Sequence, residues 1–161
     1  MFFLISCNTN TESQHYYNTK ISNNLSFDRT EIHYSIKKDT ILKLDTLCCP
    51  IAYIRIDDTL AISVGNYCKT NLNLLVTVSN KTHIAYADFN SDYNEYYGKH
   101  SIKFKADKSV LELSKSDYKV GDTLYGKIET GMFAIPDTIY FKHIDSISFK
   151  GNFVAIIDDY F

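Results

Sequence analysis

An all-β fold is what this chain predicts, as an antiparallel β-sandwich of about ten short strands, and three observations predict it. Thirteen tyrosines and ten phenylalanines among 161 residues, with abundant Ile and Thr, suit pleated, half-buried surfaces better than helices. Apolar residues alternate with polar ones in short runs, and no 3.6-residue apolar period is sustained. Asp, Asn, Gly and Lys interrupt those runs at regular spacing, the pattern of a β-sandwich or barrel.

The elements follow in chain order. Residues 1–6 form an apolar stub, "MFFLIS". From Asn8 to Asn24 the chain is polar, rich in Asn, Thr and Ser, and buries too little to offset its ordering entropy. Residues 7–26 are therefore expected to be a flexible polar tether, and 27–161 a single β-domain. "EIHYSI" alternates Ile32, Tyr34 and Ile36 against His33 and Ser35, and "DTILKLDTL" follows after a turn at Lys37-Lys38-Asp39. "PIAYIRID" and "TLAISVGN" read as a hairpin, as do "NLNLLVTVS" and "HIAYADF" around Asn80-Lys81. That second turn sets Leu74 opposite Ala87 and Val76 opposite Ala85. "SIKFK", "VLELS", "DTLYGKIE", "DTIYFKH", "ISFKG" and "FVAII" complete the set.

The stub and tether have the layout of a processing segment. Leu4-Ile5-Ser6-Cys7 resembles the lipobox of bacterial lipoproteins, in which the signal is cut before the cysteine and the thiol carries lipid. The resemblance implies that Cys7 is the acylated (diacylglycerol and palmitate) first residue of a mature envelope protein, held to a membrane through that anchor. Only Phe2 to Ile5 stand as an apolar run ahead of Ser6-Cys7, shorter than the roughly 7–15 residues a signal uses, so the rest of the signal is expected upstream.

A second stretch, "LELSKSDYKVGDTLYGKI", is similar to the first two strands of immunoglobulin-like and macroglobulin-like domains, through Tyr118, Gly121, Asp122, Leu124 and Ile128. The resemblance implies a tyrosine tucked beneath a Gly-Asp turn and favours the sandwich. Gly121 is free to adopt φ > 0 there, and Leu124, Gly126 and Ile128 share a face.

Beyond Cys7 the cysteines are Cys48, Cys49 and Cys68. In an oxidising envelope two should bond. Burying the even positions of both strands of the first hairpin requires even to oppose even. A tip at Asp57-Asp58-Thr59 meets that condition and brings Cys48 opposite Cys68, within disulfide reach. Cys49–Cys68, a vicinal Cys48–Cys49 bond and three free thiols remain the alternatives.

Asp-Thr/Ser-aliphatic recurs six times, at Asp39, Asp45, Asp58, Asp122, Asp137 and Asp145. Asp closes a turn and Thr opens a strand, which accounts for the motif structurally. The same motif resembles the O-glycosylation acceptor of envelope proteins in one group of Gram-negative bacteria, which would place glycans on Thr40, Thr46, Thr59, Thr123, Thr138 and Ser146.

A net charge of −2 and a pI near 6.2 supply no basic stripe for nucleic acid. No later apolar run reaches the roughly 18–20 residues of a membrane helix. The five histidines (15, 33, 83, 100 and 143) show no metal-ligand spacing, and His33 and His83 are expected at solvated strand edges. No cofactor, metal or catalytic motif is expected. "FNSDYNEYYGKH" places Tyr93, Tyr96 and Tyr97 among Asn, Asp and Gly, the chemistry of a recognition loop for a protein or glycan partner. The expected role is non-catalytic binding or assembly. The alternatives are an envelope hydrolase with dispersed carboxylates and an immunity-type lipoprotein that neutralises a toxin.

Overall fold

The computed structural model describes residues 14–38, 41–47, 49–55, 58–65, 71–90, 101–135 and 145–159. These form ten strands: β1 (Tyr17–Ile21), β2 (Glu31–Lys38), β3 (Ile41–Leu47), β4 (Cys49–Ile54), β5 (Leu60–Gly65), β6 (Asn71–Ser79), β7 (Thr82–Asn90), β8 (Ser101–Leu113), β9 (Thr123–Ala134) and β10 (Ser146–Asp159). The all-β expectation holds. None of the described residues is helical, so none forms a helix long and apolar enough to cross a membrane.

The strands make one mixed sheet, where the sequence suggested two antiparallel ones. From β4 to β10 each strand bonds to the next, and β10 returns to β4, so the pairing closes on itself. The β10–β4 and β1–β8 pairs are parallel. Alternation along single strands is the same whether sheets close or face each other, so the sequence pattern does not distinguish the two.

The closure depends on β10. Its first half, Ser146 to Asn152, lies between β2 and β9, and its last residues, Ile157 to Asp159, run beside β4. The β2–β3 hairpin thus branches from the first half of β10. Gly151 permits that branch: a Cβ there would sit 2.1 Å from the Glu31 carbonyl oxygen and 2.7 Å from the Ile32 Cα. The stretches "ISFKG" and "FVAII", read as separate strands, are one strand through this glycine. The glycine lets β2 approach that unbroken strand.

β8 is likewise one strand rather than two. A bulge between Ala106 and Lys108 moves the inward set from Phe104 and Ala106 to Ser109, Leu111 and Leu113. The "ADKS" segment between "SIKFK" and "VLELS" is the site of that extra residue.

The core fills the closed sheet with Ile62, Leu74, Val76, Phe104, Leu111, Leu124, Phe149 and Phe153 among its buried members. The β6–β7 register pairs Leu74 with Ala87 and Val76 with Ala85, as expected. Asn80 (φ 48°) and Lys81 (φ 65°) take the left-handed conformations of a two-residue type I′ turn.

The β4–β5 hairpin keeps the expected even-to-even parity but sits two residues away from the expected register. Ala52 opposes Ile62, Ile54 opposes Leu60 and Cys49 opposes Gly65. Its tip sits one residue earlier than Asp57-Asp58-Thr59: the Arg55 N–H donates to the Thr59 carbonyl, and Asp58 (φ 58°), not Thr59, supplies the left-handed position. The alignment that set Cys48 against Cys68 is therefore not the one adopted. Both cysteines lie outside the described residues.

Tyr17 to Ile21, inside the stretch read as a tether, is a strand. It lies where β7 and β8 diverge, antiparallel to β7 over Tyr17 and Asn18 and parallel to β8 over Thr19 to Ile21.

Candidate functional site

Chemically active side chains gather at two places, the fork that holds β1 and the outer face of β8, β9 and β10. In the fork, Thr19 of β1, His83 of β7 and Ser109 of β8 form a buried chain. Thr19 Oγ1 lies 3.1 Å from His83 Nδ1, and His83 Nε2 lies 2.9 Å from Ser109 Oγ. The Tyr17 ring packs on the imidazole at 5.7 Å, while its hydroxyl donates to the Ala106 carbonyl. Burial, with a further contribution from Asp107, raises the Tyr17 phenol pKa.

His83 was expected at a solvated edge, yet it is 1% exposed. Its odd position aligns it with Ala85 and Ala87 on the inner face of β7. Burial lowers its pKa to about 4, so the ring is neutral at neutral pH. Ser–His–Thr echoes a nucleophile, base and orienting group, but the third member is a hydroxyl and the ring is closed to solvent. The chain of bonds ties three strands together instead.

Beside the fork, the arch between β8 and β9 turns at Gly121 and Asp122. Gly121 has φ 87°, and the Asp122 carboxylate accepts the Lys119 N–H and pairs with Lys115 at 3.0 Å. Those contacts, led by Lys115, hold the Asp122 pKa below the ordinary carboxylate range. The Gly121 N–H donates to the Ile157 carbonyl, which docks the arch on β10. Tyr118 is tucked beneath. Its hydroxyl is buried with no hydrogen-bond partner among the described residues, and burial, then Asp117, pushes the phenol pKa up. Tyr118 lines a pocket of about 80 Å³ together with Thr19, Asp58, Asn80 and Lys81.

The outer face carries two cross-strand rows. One runs Lys20, Glu112, Lys127, Asn152 and Glu31, and the other Val110, Glu129, Lys150 and His33, each residue opposite the next. Lys20 pairs with Glu112 at 3.2 Å, Lys150 with Glu129 at 2.9 Å and His33 with Glu31 at 3.3 Å. Ser22 first and Lys20 next lower the Glu112 pKa, and Lys150 lowers that of Glu129. Lys127 Nζ lies 5.6 Å over the Phe27 ring, a cation–π contact. Val110, Glu112, Lys127, Glu129, Lys150 and Asn152 border an open groove of about 350 Å³. Val110 is 63% exposed there, an apolar residue within a charged lattice.

Of the residues singled out from sequence, Cys7, Cys48, Cys68, Tyr93, Tyr96, Tyr97, Thr40 and Thr138 lie outside the described residues. Thr46 is in β3, with its backbone alone described. Thr123 is exposed at the start of β9, while Thr59 and Ser146 are half-buried. Among the described residues no three His, Cys, Asp or Glu side chains could hold a metal ion. Sequence reasoning missed the outer rows, because each needs the register of strands distant in the chain. No family model, curated protein or solved structure matches this chain.

Proposed function

We propose that this chain is a lipid-anchored protein of the bacterial cell envelope that binds a partner without catalysis, through the outer face of β8, β9 and β10. The observation that carries the reading is the ordered alternation of Glu112, Lys127, Glu129 and Lys150 around exposed Val110. Charges held in cross-strand rows lose little further freedom when a complementary surface docks, and a central apolar contact excludes water. Such a surface suits a protein partner with its own alternating charges. The lipobox-like Leu4-Ile5-Ser6-Cys7 supports the anchor. The immunoglobulin-like likeness is supported by the arch over 111–128 alone, within a single mixed sheet.

Affinity capture from the native envelope tests the binding surface. Wild-type protein should retain a partner that Val110→Asp and Lys150→Glu lose, with the denaturation midpoint of both variants unchanged. Retention by both variants would remove this face from the proposal. Palmitate labelling tests the anchor: label should enter the full-length precursor and be absent from Cys7→Ser, and an unlabelled wild-type chain would remove the anchor.

A further inference from the structure

We infer that β1 is an acid-released latch: protonation of His83 frees the strand from the fork between β7 and β8 while the closed sheet stays folded. The geometry makes β1 separable. It shares two register positions with β7 and three with β8, so neither neighbour gives it a ladder along its whole length. Beyond those short ladders, two backbone bonds fasten it: the Thr19 N–H donates to the Lys81 carbonyl, and the Ser22 N–H, just past the strand, to the Leu113 carbonyl, each at 2.8 Å. The closed circuit of strands runs through the direct β7–β8 pairing over Tyr86 to Asn90 and does not need β1.

The same geometry makes His83 the residue that controls it. Thr19 is the one buried residue of β1, and its hydroxyl ends on His83. The groups packed on the imidazole are neutral: the Tyr17 ring and Thr19 hydroxyl from β1, the Ser109 hydroxyl from β8, and Val78 opposite on β6. The surrounding charged side chains of Lys20, Lys81, Asp107 and Lys108 are exposed. An imidazolium in this position would have hydroxyl acceptors but, among the described residues, no buried counter-charge, which is costly in such a site. Lifting β1 removes the Tyr17 and Thr19 cover and admits water to the ring.

Linkage sets the size of the effect. With the closed-state pKa lowered to about 4 and an open-state value near 6.5, the opening equilibrium should rise about 30-fold from pH 7.5 to pH 5.0. Hydrogen exchange on the intact chain, corrected for the intrinsic pH dependence of exchange, reads this directly. The Thr19 and Ser22 amides should gain about 30-fold in opening while β6 and β9 amides keep their protection. His83→Gln should remove that pH dependence. If that variant does not fold, the wild-type chain still decides by NMR: the His83 ring should titrate together with loss of the β1 amide signals. β1 amides equally protected at both pH values, or opening only together with β6 and β9, would overturn the latch.

Discussion

Phe153 occupies the space that a side chain on Gly126 would need. The two are opposed across β9 and β10, and a Cβ on Gly126 would lie 2.2 Å from the Phe153 ring tip. A small residue on one strand thus receives a large one from its neighbour, which keeps the closed core filled without strain. Gly126→Ala should destabilise the chain by about 1–3 kcal/mol through overpacking. Urea denaturation measures it, and adding Phe153→Leu should recover part of the loss. Additive losses in the double variant would refute the steric explanation.

Tyr118 carries a buried hydroxyl with no hydrogen-bond partner among the described residues. Removing an unsatisfied polar atom while keeping the ring relieves a desolvation cost, so Tyr118→Phe should stabilise the fold by about 1 kcal/mol. A fall in melting temperature would mean that the hydroxyl is satisfied in solution.

Lys81 holds φ 65° in a turn whose second position favours glycine. Lys81→Gly should add about 1 kcal/mol of stability by relieving the left-handed backbone. The β6–β7 register should remain, and chemical-shift changes should stay local to the turn.

Acid should weaken the fold through His83. The unfolded chain binds a proton near pH 6.5, whereas the folded ring does so only near pH 4. Stability is therefore lost as pH falls between those values and levels off below them. Between pH 7.5 and 4.5 the loss should be up to about 2.5 kcal/mol, smaller to the extent that β1 releases first. Denaturant titrations at both pH values measure it, and His83→Gln should flatten this component.

The β6–β7 hairpin was legible in the sequence because two turn residues fix its register, and large-small pairing follows from that register. The β4–β5 tip was half legible. Apolar parity named the buried face, but the placement of the tip rested on Asp58, and not Thr59, taking the left-handed position. β1 was hidden because its inward residue is Thr19, whose burial is satisfied by a histidine some sixty residues away; hydropathy reads such a strand as tether. The outer charge rows were hidden for a related reason, since Glu112, Lys127 and Asn152 become neighbours only once three long strands have been aligned.

Strand β10 comes after every other described strand in chain order, yet it is the piece that joins β9, β2 and β4. A nascent polypeptide lacking residues 146–159 has no means of completing the circuit, however long it waits. Its β4 and β9 would be left with open edges. Closure of the sheet therefore waits on its keystone.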